Sequence, residues 1–421
     1  MSYTQKNMGN NIMNLLNRSN HELLLPAGSI EKAKYALNYG ADAIYIGPKA
    51  YSLRARSSNF DIKDIKEIVD YAHNINKKVY VALNIICHNA DVKNFENYFK
   101  KMMDTKIDGV IVADPFIAKS IRKWNKNIEI HISTQQSVTN SKACMFWKRN
   151  NATRIVLGRE VSYQELKLLL QNLNNEIEIE YFIHGAVCIS YSGRCMMSNN
   201  FSLRDANVGG CAQSCRWKYK IINEDLVNET DKYFTMSPKD MELLCEFDKL
   251  LDLNIASFKV EGRMKSIHYV ATVANCYRQF IDLYKNHQSL DKKKLKADLE
   301  KAENRLADTA WFSGLPQYEK MLYFELEKDI SQIFAFNFEK KIDDFTFIVK
   351  SRNYFSKKNQ FEIVYPNFER QIVNITNIYD EYSNELDVVK TPMKLYKIKF
   401  LQKINFNDGY LLIARTLIES E

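Results

Sequence analysis

Four of the eight cysteines lie between residues 188 and 215, spaced Cys188-x6-Cys195-x15-Cys211-x3-Cys215, while Cys87, Cys144, Cys245 and Cys276 stand alone. Thiolates are the ligands of iron–sulfur clusters, and four suffice for a 4Fe–4S cube. Uneven spacing with one short Cys-x3-Cys turn suits loop ligands converging on a cube. Structural zinc sites more often carry two such close pairs, and only one is present here. On spacing alone an iron–sulfur cluster, a zinc site and unliganded thiols all stay open. Gly185, Gly193, Gly209 and Gly210 flank the cysteines and permit tight turns or close approach to a cofactor. Arg194, Arg204, Arg216, Lys218 and Lys220 stand against Asp205 in this stretch. Such cations serve a phosphate or small anion, or offset the charge of a thiolate-bound cluster.

A second constellation is Lys259-Val-Glu-Gly-Arg-Met-Lys-Ser266. Arg263 offers a bidentate fork for carboxylate or phosphate, and a following helix N-terminus favours anions. Lys259, Glu261 and Arg263 are therefore candidate catalytic or anchoring groups, with a structural Glu–Arg ion pair as the plainer alternative. His131 in IHISTQQ and His184 in FIHGA are candidate substrate donors or bases. Arg54, Arg56 and Arg159 are candidate substrate contacts. Walker A, HExxH and GxSxG motifs are absent from the sequence.

These residues need a scaffold, and the sequence supplies a rhythm. Short apolar runs alternate with longer amphipathic segments, the pattern of a parallel sheet wrapped in helices. The expected strands are Glu22–Ala27, Ala43–Gly47, Val79–Ile86, Gly109–Ala113, Ile128–Ser133, Arg154–Leu157, Glu178–Ile183 and Ser257–Val260. The expected helices include Ile62–Ile75, Asp91–Asp104, Pro115–Trp124, Ser162–Leu173 behind a Ser162/Glu165 capping box, Met241–Leu251 and Ser266–Tyr284. Eight such units predict an α/β fold, a (β/α)₈ TIM-like barrel over residues 21–285. The first βα turn lacks GxGxxG, which disfavours a doubly wound sheet. Barrel chemistry sits on loops after the strand C-termini. The Cys-rich insertion after strand seven, about residues 185–240, occupies such a loop. Residues 1–20 read as a flexible extension and 286–335 as a helical connector with a helix over Leu290–Arg305. Short alternating runs from about Asp343 predict a small C-terminal all-β domain, 336–421, either barrel or sandwich.

At 421 residues, 46% hydrophobic and 26% charged, the chain has room for one large and one small domain of ordinary globular composition. The polar start carries no signal-peptide pattern, and no run approaches the roughly 18 apolar residues of a membrane span. A cytoplasmic protein without a membrane partner is expected. There, eight cysteines do not read as a disulfide framework. The net charge of +8 favours polyanions such as RNA only mildly.

ELLLPAG, GADAIYIG, HISTQQ, HGAVCISYSGRC with GGCAQSCRWKY, MSPKDM and KVEGRMKS occur in this order. Together they closely resemble the bacterial peptidase family U32 over about residues 21–285, and the trailing β segment resembles its C-terminal domain. The family carries a collagenase-like protease label, but the resemblance is strongest to its oxygen-independent hydroxylases. It implies that Cys188, Cys195, Cys211 and Cys215 hold a 4Fe–4S cluster. It implies tRNA as partner, wobble uridine converted to 5-hydroxyuridine as reaction, and prephenate as a cosubstrate. The alternatives are a peptidase, a hydroxylase of a 23S ribosomal RNA cytidine, and a non-catalytic cluster-bearing subunit partnering a paralogous family member.

Overall fold

The structure is a computed structural model that describes residues 21–53, 59–220, 233–302, 305–317, 321–322, 332–406 and 411–417. The chain divides into two compact units. One comprises Met1–Ala33, Ala41–Lys265 and Arg305–Glu327; the other comprises Lys34–Gly40, Ser266–Asn304 and Lys328–Glu421.

The first unit holds the barrel strands β1 (Glu22–Ala27), β2 (Ala43–Ile46), β3 (Lys78–Leu83), β4 (Gly109–Val112), β5 (Glu129–Ile132), β6 (Arg154–Val156) and β7 (Glu178–Gly185). Each pairs in parallel with the next. A short β8 (Asp240–Glu242) lies antiparallel on β7 inside the insertion. Then β9 (Ser257–Val260) pairs in parallel with both β7 and β1, closing an eight-stranded barrel. All eight predicted strands are present because each supplies an apolar run; β2, β4, β6 and β9 are buried along their whole length. Local chemistry marks the helix starts. Asp61 with Asp64 and Ser162 with Glu165 form capping boxes, and Asp114 caps a helix that opens with Pro115. No described helix is long and apolar enough to cross a membrane.

Three sequence expectations need correction. Met241–Leu251 is not one helix: Met241 pairs with Gly185, and the Glu242 side chain accepts from Leu244 N at 2.7 Å. That leaves a 3₁₀ turn, Leu244–Glu246, and a short helix, Phe247–Leu251. Asp91–Asp104 is two helices, Asn89–Val92 and Phe95–Met103: the first starts earlier than expected, with Asp91 accepting from His88 N at 2.9 Å, and the chain leaves helical geometry at Asn94 (φ −109°, ψ 2°). The connector helix is shorter than expected, Lys292–Glu300, started by Asp291 accepting from Lys294 N.

In the second unit, six antiparallel strands close on themselves, resolving the barrel-or-sandwich choice in favour of a barrel. Their order is Gln360–Val364, Ile413–Leu417, Gln332–Lys341, Thr346–Ser351, Leu395–Phe400 and Arg370–Tyr379, which pairs back onto Gln360–Val364. Closure removes the exposed edges that an open sheet would present. The core is aromatic, with Phe336, Phe338, Phe347, Phe361 and Phe400 all buried. The strand Gln332–Lys341 begins before the expected start of the β region. It is buried on both faces over Ala335–Phe338 and so lacks the alternation that marks its neighbours.

Candidate active site

The chemistry-bearing residues of the first unit meet at the C-terminal mouth of the barrel. Lys259 lies within β9, and Glu261 and Arg263 follow its end. Two glycines make room for this segment. A Cβ on Gly47, just beyond β2, would collide with the Arg263 guanidinium. Gly185, at the end of β7, has a φ of +105°, and a Cβ there would strike the Glu261 carbonyl oxygen. Arg263 thus threads past β2, buried, and its Nη1 donates to Ser52 Oγ at 3.0 Å. Arg159, after β6, lies over the Phe182 ring at 3.9 Å and donates to Glu261 Oε2 at 3.3 Å.

Lys259 is the deepest of these groups. Its Nζ donates to Glu180 Oε1 at 2.6 Å and lies 4.4 Å from the centre of the Tyr45 ring. Glu180, fully buried on β7, leads on to a polar layer across the barrel interior. Arg154 Nη1 is 3.4 Å from Glu180 and 2.7 Å from Glu22, and Arg154 Nε donates to Glu178 at 2.9 Å. Tyr80 Oη donates to Glu22 at 2.6 Å. Burial opposes ionisation of Glu180, but Lys259, Arg154 and His131 outweigh it and hold the carboxyl below its ordinary value.

A cavity of about 320 Å³ opens above Lys259. Its lining includes all four clustered cysteines together with Arg159, Arg216, Lys259, Glu261 and Arg263. Burial pushes the Cys188 thiol up, with Cys195 and Cys211 adding to the rise and Arg159 opposing it. Burial likewise pushes Cys215 up to about 11, with Cys188, Cys211 and Cys195 adding and Arg216 opposing. The four sulfurs therefore share one electrostatic environment although 27 positions separate the first from the last. Among the described residues, no three His, Cys, Asp or Glu side chains converge closely enough to hold a single metal ion.

Two predicted histidines are placed differently from expectation. His131 is fully buried, and its Nε2 is 3.0 Å from Glu129 in the barrel interior. Burial and Arg154 hold its pKa below the ordinary value, with Glu129 and Glu180 pulling the other way. His184 is buried at the end of β7 and is not part of the cavity lining. Burial and Lys265 hold its pKa at about 3, which leaves it without a proton to give near neutrality. Arg194 and Arg204 are exposed and lie outside the lining, whereas Arg216 is in it, donating to Gln213 at 3.3 Å. Arg54 and Arg56 fall outside the described residues. Sequence reading missed Glu180, Tyr45 and Ser52. The signal for Glu180 was its carboxylate inside the apolar strand run EIEYFI.

The sequence matches the profile of "Peptidase family U32" over residues 28–322 and that of its C-terminal domain over residues 331–412. The chain belongs to the peptidase U32 family. This U32 chain is 42% identical over 394 residues to "tRNA hydroxylation protein P1" of Bacillus subtilis, covering 91% of this chain and 92% of that protein. It is 36% identical over 310 residues to "tRNA hydroxylation protein P" of Haemophilus influenzae, covering 62% of this chain and 67% of that one. It is 34% identical over 261 residues to the "23S rRNA 5-hydroxycytidine C2501 synthase" of Escherichia coli, covering 62% of this chain and 39% of that protein.

Proposed function

We propose that this chain is a cytoplasmic tRNA hydroxylase that converts the wobble uridine to 5-hydroxyuridine without molecular oxygen. Its centre would be an iron–sulfur cluster held by Cys188, Cys195, Cys211 and Cys215. The observation that carries the reading is that these four thiols line one cavity with Lys259, Glu261 and Arg263. The near end-to-end likeness to a relative named for tRNA hydroxylation supports the substrate.

The donor set fits the cofactor. Soft thiolates suit iron–sulfur clusters, and in a cube each thiolate serves its own iron, so the ligands spread around a volume rather than a point. Arg159 and Arg216, which already oppose the rise of two thiols, would offset the charge of four thiolates. Bound there, a 4Fe–4S cluster would supply electron transfer or an open iron for an oxygen donor.

The chain's own residues do the rest. A cavity of about 320 Å³ takes a single extruded base or a small metabolite. Tyr45, Ile111 and Phe182 contribute apolar wall that excludes water. Arg159 and Arg263, each oriented by a neighbour, present forks suited to a carboxylate such as that of prephenate. Lys259, seated on Glu180, supplies a fixed ammonium at the floor to anchor an anion or donate a hydrogen bond.

The test is to delete the gene together with any paralogue and measure modified nucleosides in tRNA and ribosomal RNA by mass spectrometry. Loss of 5-hydroxyuridine derivatives, restored by wild type but not by Cys211→Ala, is the expected result. Loss confined to 5-hydroxycytidine in ribosomal RNA would transfer the activity to that substrate. Unchanged nucleosides in both pools would overturn RNA hydroxylation and return attention to peptidase activity or an accessory role.

A further inference from the structure

The outer side of the cysteine-bearing shell has a feature that the cavity chemistry does not use. Residues 216–220 alternate cation and ring: Arg216-Trp217-Lys218-Tyr219-Lys220. Tyr219 stands between two other rings, Phe201 at 5.7 Å and Phe234 at 5.8 Å between centroids. Paired backbone hydrogen bonds tie Tyr219 to Phe234, and Tyr219 Oη donates to Ser214 O at 2.6 Å. Ser214, next to Cys215, lines the cavity. The ladder of rings is thus braced against the wall of the candidate active site.

These rings are unusually open to solvent. Phe201 is 55% exposed, Phe234 44% and Trp217 42%. Single exposed apolar side chains are ordinary on protein surfaces and need no explanation. Here Phe201 and Phe234 flank Tyr219, backbone pairing holds Phe234 to Tyr219, and exposed Trp217 and Lys218 directly precede Tyr219 in the chain, with exposed Arg204 three residues after Phe201. From Cys188 to Lys220 the chain carries five cations against the single Asp205, so the surface complements a polyanion. Planar rings beside cations match single-stranded nucleic acid, whose bases stack on aromatic faces while lysine and arginine hold the phosphates.

Building on the RNA reading above, we infer that Phe201, Trp217 and Phe234 form a stacking platform for unpaired nucleotides flanking the target base, with Arg204 and Lys218 gripping their phosphates. The occupant is a single-stranded RNA loop. A duplex hides its bases from such a surface and gains only the phosphate contacts. The platform therefore reads unpaired structure, and the cavity beside Cys215 receives the base that the platform's grip leaves free.

The experiment uses the full-length protein and fluorescence anisotropy with two labelled RNAs, a stem-loop with uridine in its loop and a duplex of matched composition. Trp217→Ala combined with Phe201→Ala is expected to weaken stem-loop binding at least about tenfold, as for loss of a stacked base, and to leave duplex binding unchanged. Trp217→Phe is expected to keep the preference for the loop. Arg204→Gln and Lys218→Gln are expected to weaken both RNAs and to lower the salt slope by about one each. All these side chains lie at the surface, so the variants are expected to fold, and circular dichroism melting is the check. If wild type prefers the loop and the alanine pair keeps that preference, this inference is overturned and the RNA reading stands. The platform is equally refuted if the alanine pair loses only self-association or a protein partner. If wild type binds neither RNA, both readings fail.

Discussion

The barrel interior contains two polar regions that share a lysine and behave differently. Toward the N-terminal ends of the strands, Glu22, Glu178 and Glu180 surround Arg154, and Glu129 is bonded to both His131 and Lys78. At the C-terminal mouth, Arg159, Glu261 and Arg263 have partners too, but their side chains also face a cavity. In the lower layer the charges chiefly serve one another, whereas above Lys259 they surround a space sized for a ligand. Buried ion networks are costly to break yet contribute little net stability, while groups that face a cavity are free to take part in chemistry. The lower layer should therefore govern folding and the mouth should govern activity, with Lys259 and Glu180 at the boundary.

The sharpest way to break this contrast is Glu180→Leu. It removes the carboxylate shared by Lys259 and Arg154, and leaving a buried charge uncompensated costs about 3–5 kcal/mol. Denaturant unfolding should show that loss, and a variant as stable as wild type would contradict the account of the lower layer. Gly47→Ala comes next. Its methyl displaces the Arg263 guanidinium, an overpacking cost of about 1–3 kcal/mol, and hydroxylation should fall more steeply than stability does. Activity retained at wild-type level would show that the seat of Arg263 is irrelevant.

Acid provides a third and gentler probe. The folded pKa values of His131 and His184 lie below the ordinary 6.5, so below that pH the unfolded chain binds protons that the folded chain refuses. Glu129 is held at about 2, and the stability it contributes is present above its ordinary 4.5 and is lost as pH falls toward 2. Both effects have the same sign. Unfolding free energy should decline steadily as pH drops below 6.5, and a flat profile down to pH 5 would refute the lowered histidine pKa values. The smallest stability effect is expected at the mouth. Glu261→Gln removes the charge paired with Arg159 but keeps an oxygen that can accept from it, so the stability loss should stay below that of Glu180→Leu, yet turnover should drop at least about tenfold by the mouth's assigned role. A variant losing stability but not turnover would invert the comparison.

Much of the barrel was legible because strand and helix periodicity are local properties. The run GVIVA and the Ser162/Glu165 pair announce their structures within a few residues. The cysteine cluster was legible because four of the eight cysteines fall within one short stretch, 188–215, far more than chance spacing would put there. What periodicity cannot convey is depth along the barrel. His131 and Lys259 both lie on interior strands, yet only Lys259 lines the cavity, while His131 is absorbed by Glu129. Glu180 was hidden for the same reason, since its meaning depends on Lys259 and Arg154, distant in sequence. Met241–Leu251 carried a helical pattern that pairing with β7 overrode, a tertiary contact defeating local preference.

The most direct measurement is the iron, zinc and acid-labile sulfide content of protein purified without oxygen, wild type beside Cys188→Ala, Cys195→Ala, Cys211→Ala and Cys215→Ala. The account predicts about four iron and four sulfide per wild-type chain, with the cluster lost or degraded in the variants together with hydroxylation. Stoichiometric zinc without sulfide, or variants that hydroxylate as well as wild type, would contradict it.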